Sequence, residues 1–173
     1  MTSPPGHQPV LLREALEGLS LRDDGLYVDA TFVRGGHSAE ILARLGSQGR
    51  LLALDKDPEA VAHGSERFGG DERFAIRHAG FEAFRDIVGA WLGGRALAGV
   101  LFDLGVSSPQ LDTAERGFSF AHDGPLDMRM NTTVGPTAAE WLASVSQREL
   151  ADVLFHYGEE PRSRQIAAAI VRA

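Results

Sequence analysis

Asp29-Ala30-Thr31-Phe32-Val33-Arg34-Gly35-Gly36-His37-Ser38 lies between an apolar run, Leu26-Tyr27-Val28, and a helical pattern from Ala39 to Leu45. A strand, a glycine-containing turn and a helix in that order make a nucleotide-binding corner. Glycine lets the backbone approach a ligand closely, and the helix N-terminus presents unpaired N–H groups. A second signal follows. Arg50-Leu51-Leu52-Ala53-Leu54 reads as a buried strand and ends in Asp55-Lys56-Asp57-Pro58. An acidic residue at the tip of the second strand is placed to accept hydrogen bonds from ribose hydroxyls. Together the two segments point to a ligand with an adenosine moiety.

Outward from this corner, Val10 to Leu19 reads as a helix and Gly25 to Thr31 as strand one. The helix after the glycine turn runs from about Ser38 to Leu45, and strand two from Arg50 to Asp55. Pro58 suits the first turn of a helix, Glu59 to Phe68; Asp57 is equally placed to cap that helix or to compete with Asp55 for the ribose. Arg73 to His78 is strand three, and Glu82 to Leu92 a helix with Phe84, Ile87, Val88 and Trp91 as its apolar stripe. Strand four, Leu97 to Asp103, is nearly uniformly apolar, as expected of a parallel strand covered on both faces. This βαβαβαβ order predicts an open parallel α/β sheet, with ligands bound beyond the carboxyl ends of its strands. Those ends carry Asp29, Asp55 and Asp103.

From Leu104 the pattern changes. Gly105 to Thr137 is rich in Gly, Ser, Pro and Asp and reads as a long functional loop without periodicity. Helical patterns resume over Ala138 to Ala143, Gln147 to Phe155 and Pro161 to Ala173, and Ser146 with Glu149 fits a capping box. Trp91 and Trp141 fall on apolar helix faces and are expected in the core. Residues 1 to 8 read as a flexible arm. Strand four would be an open apolar edge, and the last helix has no stop signal. Both features suggest the front part of a longer protein.

The 173 residues are 43% hydrophobic and 24% charged, which suits a globular chain with a sizeable core. With no cysteine, disulfides, thiol catalysis and cysteine-ligated zinc are excluded. His37 has no second histidine or paired carboxylate at ligand spacing, so no metal site is expected. No apolar run approaches a membrane span and no signal peptide is evident, so a cytoplasmic location is expected. The net charge of −7 argues against nucleic-acid binding driven by overall charge and leaves room for a local basic patch. Lys56 is the one lysine among 17 basic residues, which codon usage in a GC-rich genome explains.

Three segments resemble one family. They are Asp29-Ala30-Thr31-Phe32 through Gly35-Gly36-His37-Ser38, Asp55-Lys56-Asp57-Pro58, and Phe102-Asp103-Leu104-Gly105-Val106-Ser107-Ser108-Pro109-Gln110-Leu111-Asp112. The family is the bacterial 16S rRNA cytosine-N4 methyltransferases of the ribosomal small subunit methyltransferase H type. Arg116-Gly117-Phe118-Ser119-Phe120, Gly124-Pro125-Leu126-Asp127-Met128-Arg129-Met130, and His7 with Val10-Leu11-Leu12 and Glu14-Ala15 match as well. The resemblance implies a class I, Rossmann-like methyltransferase sheet with a helical insertion after strand four. Residues 1–108 would form the front of the S-adenosylmethionine-binding core, and 109–173 the start of the insertion that recognises substrate. It implies S-adenosylmethionine as cofactor, 16S rRNA in the small ribosomal subunit as partner, and methylation of the exocyclic N4 of a decoding-region cytidine. Gly35, Gly36 and His37 would line the cofactor site, Asp55 would bind its ribose, and Phe81, Asp103 and Gln110 would complete the pocket. Val33 departs from the pattern, standing where the family has glycine; a β-branched residue is costly at positive φ. Family members are also nearly twice as long.

Asp103 is the only carboxylate on its strand end and is the candidate catalytic group. A hydrogen-bond acceptor beside cytosine N4 could localise the lone pair and later take a proton. The competing role is purely structural or cofactor-binding. Phe81 could stack on adenine or pack in the core. Arg116 and Arg129 could meet RNA phosphates, or be solvated loop residues. The target base must be presented single-stranded or flipped out of its stack. Two other classes fit the same corner: an inactive nucleotide-binding or interaction module derived from such an enzyme, and an NAD-dependent oxidoreductase. The absence of a full G-x-G-x-x-G argues against the second.

Overall fold

The computed structural model describes residues 9–172. The expected flexible arm with His7, and the terminal Ala173, lie outside the described residues. The chain forms two compact units, Met1–Gly105 and Val106–Ala173.

In the first unit β1 (Leu26–Asp29), β2 (Arg50–Asp55), β3 (Phe74–His78) and β4 (Gly99–Leu101) make one parallel, Rossmann-like sheet in the order β3-β2-β1-β4. Alternation along the strands divides the core between two faces. Tyr27 and Leu51 pack with Leu16 of α1 (Leu12–Leu19) and with Ile41 and Leu42 of α2 (Gly36–Arg44). Ala53 joins Phe32 and Ala60 of α3 (Pro58–Phe68). Val28, Leu52 and Leu54 turn the other way, onto Val88, Phe84, Ile87 and Trp91 of α4 (Phe84–Leu92).

Strand two has the expected bounds, and Asp57 caps α3 by accepting from the Glu59 N–H at 3.0 Å. Strand four is shorter than expected and only half-buried at Gly99 and Val100. It pairs with β1 alone, and its last ladder bond runs from Ala30 N–H to Leu101 C=O. Beyond it Phe102 leaves the sheet, and the Asp103 N–H donates to the Thr31 hydroxyl at 2.7 Å. Helix α1 begins at Leu12 because Leu11 turns into the left-handed region, φ +50°.

In the second unit the stretch expected to lack structure contains α5 (Ser108–Asp112) and a 3₁₀ turn, Ala114–Arg116. Ser107 and Gln110 form a reciprocal capping box at the start of α5. The irregular chain that follows is held by Arg116, which is 5% exposed and donates to the carbonyls of Arg129 and Met130 at 3.0 and 3.2 Å. Arg129 grips Asp127 through two N–H groups at 2.9 and 2.6 Å. Neither arginine is the solvated loop residue the sequence allowed. A second capping box, Thr137 with Glu140, starts α6 (Ala138–Ser144). Leu150 and Ala151 of α7 (Gln147–His156) and Ala167 of α8 (Ser163–Arg172) form a small core, with Trp141 packed against it. No helix among the described residues is long and apolar enough to cross a membrane.

Candidate functional site

The order β3-β2-β1-β4 reverses direction between β1 and β4, and in open parallel sheets that reversal opens a crevice beyond the strand ends. The Ala30–Ser38 turn starts there. Phe32 N–H donates to Leu54 C=O at 3.1 Å, so the turn stays on the sheet after β1 ends. Val33 then enters the left-handed region at φ +55°, and Gly35 does so at φ +69°. A Cβ on Gly35 would fall 2.5 Å from the Phe32 ring, so positive φ and close packing both select glycine there. Gly36 is crowded by the Pro9 ring, and His37, 6% exposed, sets Nε2 3.2 Å from the Val10 carbonyl. The start of the described chain therefore passes over the N-terminus of α2. The first helical bond runs from Ala39 N–H to Gly35 C=O, so the helix itself does not use the N–H groups of Gly36, His37 and Ser38.

Three carboxylates bracket this turn. Asp29 is 1% exposed; its Oδ2 accepts from the Ser38 hydroxyl at 2.6 Å and its Oδ1 from the Thr31 N–H at 3.2 Å. Burial pushes its pKa up, and the two hydrogen bonds oppose that shift. Asp55 closes β2. Its Oδ2 accepts from Val33 N–H and its Oδ1 from Asp57 N–H, both at 2.8 Å. Burial raises its pKa too, against those same N–H groups. Each oxygen has a second lone pair, so Asp55 can accept further donors while holding the turn. Asp103, exposed, stands two residues past β4 with its backbone tied to Thr31.

Phe81 is 53% exposed and meets Phe102 edge-on at 5.4 Å, with Phe84 on Phe102 at 5.9 Å. It is therefore not a core residue. Gly35, Gly36, His37, Asp55, Phe81 and Asp103 belong to the first unit, and hydrogen bonds link the turn directly to Asp55 and Asp103. Gln110 belongs to the second unit, 6% exposed, with its side-chain oxygen accepting from Ser107 N–H at 3.0 Å. The sequence reading missed Thr31, whose hydroxyl joins the ends of β1 and β4, and Ser38, whose hydroxyl ties the start of α2 to Asp29. Their signal was available: hydroxyl residues two and nine positions after a strand-end aspartate.

Residues 5–173 match the MraW methylase family. The chain is 58% identical over 169 residues to a ribosomal RNA small subunit methyltransferase H of Nitrosococcus oceani, covering 96% of this chain and 53% of that protein. A protein of the same name from Thioalkalivibrio sulfidiphilus is 57% identical over 168 residues, 96% of this chain and 53% of the relative. One from Xylella fastidiosa is 56% identical over 165 residues, 95% and 51% respectively. The chain spans about half the length of the curated relatives it matches.

Proposed function

The chain belongs to the MraW methylase family, and from that premise we propose that it contributes to S-adenosylmethionine-dependent methylation of ribosomal RNA. The substrate is the N4 amino group of a cytidine in the decoding region of 16S rRNA, met in the small ribosomal subunit in the cytoplasm. Residues 1–108 serve the cofactor and 109–173 begin the substrate-recognition region. The observation that carries the reading is the knot of hydrogen bonds joining the glycine turn to Asp55 and, through Thr31, to Asp103.

The residues suit the cofactor. Asp55 holds the ribose hydroxyls with its remaining lone pairs, and charge-assisted bonds of this kind are worth about 1.5–3 kcal/mol each. Gly35, Gly36 and His37 bring N–H groups to the same edge, and Phe81 offers an exposed ring for the adenine. The family resemblance adds Gln110 of the second unit to the residues proposed for the cofactor. S-adenosylmethionine supplies an electrophilic methyl group on a sulfonium centre. Asp103 accepts a hydrogen bond from the cytosine amino group, directs its lone pair, and takes the proton that N4 must lose. The base reaches Asp103 only when unstacked.

Asp55→Ala is expected to weaken S-adenosylmethionine binding at least tenfold by calorimetry, and unchanged affinity would remove Asp55 from the ribose role. Asp103→Asn is expected to retain the cofactor and lose methyl transfer to hypomethylated small subunits, with N4-methylcytidine as the product after nuclease digestion. Cofactor binding with no transfer by the unmodified protein would instead favour the inactive-module reading.

A further inference from the structure

β1 and β4 part at the crevice, and one side chain spans the gap. The last ladder bond between them runs from Ala30 N–H to Leu101 C=O at 2.9 Å. The bond that follows is of another kind, since Asp103 N–H donates to a side chain, the Thr31 hydroxyl, at 2.7 Å. Phe102, between the two bonds, sets its ring against Phe84 and Phe81, at 5.9 and 5.4 Å between centroids. Phe102 therefore fixes where the chain leaves the sheet, and Thr31 fixes where it goes next. Asp103 is exposed, and the bond to Thr31 is its one hydrogen bond among the described residues.

Thr31 is itself held from behind. Its N–H donates to Asp29 Oδ1 at 3.2 Å, and Asp29 Oδ2 accepts from the Ser38 hydroxyl at 2.6 Å. Asp29 and Ser38 are buried, and Ser38 lies in the first turn of α2. The series Ser38–Asp29–Thr31–Asp103 thus runs from the helix that follows the glycine turn, through a buried carboxylate, to the end of the neighbouring strand. A hydroxyl carries two acceptor lone pairs, and branching at Cβ restricts the threonine χ1, so the oxygen that Asp103 meets is a fixed point. Valine would keep this shape without the oxygen, and serine would keep the oxygen on a looser stem. We propose that Thr31 is a positioning residue, whose hydroxyl sets Asp103 at a fixed distance from the glycine turn so that methyl donor and amino group meet in line. The inference rests on the methylation reading above and adds a residue that acts through Asp103. Removing the hydroxyl leaves Thr31 N–H on Asp29 and Val33 N–H on Asp55, so the cofactor side of the corner stays tied. A merely structural threonine would support cofactor binding and transfer alike, whereas a positioning one supports transfer alone.

The test compares Thr31→Val and Thr31→Ser with the unmodified protein. Amide hydrogen exchange, read by NMR, follows the Asp103 N–H. It is expected to be severalfold faster in Thr31→Val and close to the unmodified rate in Thr31→Ser, with the Ala30 amide unchanged in both. In methyl transfer to hypomethylated small subunits, Thr31→Val is expected to lose roughly 10- to 100-fold in kcat, the scale of a misplacement approaching about 1 Å. Its KM for S-adenosylmethionine and its calorimetric affinity are expected to stay as they were, and Thr31→Ser to recover most of kcat. An unchanged Asp103 exchange rate in Thr31→Val overturns the proposal, as does an unchanged kcat. Cofactor affinity falling in step with kcat overturns it as well, and so does a Thr31→Val protein that circular dichroism shows to be unfolded, since the threonine would then be structural. An unmodified protein that binds the cofactor and transfers no methyl group defeats the methylation reading instead, and the Asp103 exchange rate then decides the tether alone.

Discussion

The two units are held together by different physics. In the first, Val28, Ile41, Leu51 and Ala53 are wholly buried and both faces of a parallel sheet are packed. In the second, the buried apolar cluster reduces to Leu150, Ala151 and Ala167, and order elsewhere comes from polar stitches. These are two capping boxes, the inward-turned Arg116, and the Asp127–Arg129 fork. The lesson is that a hydrophobic pattern and a hydrogen-bond pattern can each specify a backbone, but only the first has a period.

The sharpest way to break this contrast is to remove one side chain from each core. The chain's two tryptophans report separately, since Trp91 packs in the first unit and Trp141 in the second. Leu51→Ala is expected to cost about 2–5 kcal/mol in denaturant unfolding followed at Trp91, because Leu51 is 0% exposed beneath two helices. Leu150→Ala is expected to show at Trp141 with a cost at the lower end of that range, since the smaller core can collapse around the gap. An equal, large loss at both tryptophans from either change would mean that the two units share one cooperative core, and the contrast would fail.

The same contrast explains what the sequence disclosed. β2 was legible residue for residue because Leu51 to Leu54 is a continuous apolar run closed by an aspartate and a proline. β4 was overread at both ends. An apolar stretch continues through Leu97 and Phe102, yet only three residues find a ladder partner on β1. The Ser107–Gln110 and Thr137–Glu140 boxes carry the S/T-x-x-E/Q signature and could have been found. The Arg116 contacts could not, since they join residues 13 and 14 positions apart through carbonyls that leave no trace in side-chain identity. At the site, Asp55 and the glycine turn were legible from their place at strand ends. The Asp103–Thr31 bond was hidden because it connects residues 72 apart.

A smaller effect should separate the units by pH. The Arg129 hydrogen bonds hold Asp127 down at about 2, below its ordinary 3.8. A depressed acid stabilises the fold above its unfolded pKa and loses that contribution as pH falls through the folded value. The Trp141 transition should therefore weaken between about pH 4 and pH 2, and Asp127→Asn should flatten that decline. Asp29 has the opposite sign. Its pKa is raised by burial, so its charged form disfavours the folded state, and stability grows as pH falls through the raised value toward 3.8. The Trp91 transition should rise over that interval, and Asp29→Asn should reduce the rise to the part that Asp55, also raised by burial, contributes. The same pH response at both tryptophans would contradict the assignment of these carboxylates to separate environments.

The smallest expected effect concerns two left-handed residues, one in each unit. Val33 sits at φ +55° and Met128 at φ +59°. A left-handed conformation costs an L-residue on the order of 1–2 kcal/mol, and a β-branched side chain has the least room to relax. Glycine removes that cost but adds freedom to the unfolded chain, worth roughly 0.4–1 kcal/mol in the other direction. Val33→Gly should therefore stabilise the Trp91 transition by a few tenths to about 1 kcal/mol. It should also tighten S-adenosylmethionine binding, because the Val33 N–H that grips Asp55 at 2.8 Å would be held without opposing strain. Met128→Gly should gain less at Trp141, since methionine is unbranched at Cβ. Calorimetry and denaturant unfolding on the two variants decide the matter. A Val33→Gly protein that is less stable, or binds the cofactor more weakly, would mean that the valine side chain packs the turn into its working shape and that its backbone angle carries no penalty worth relieving.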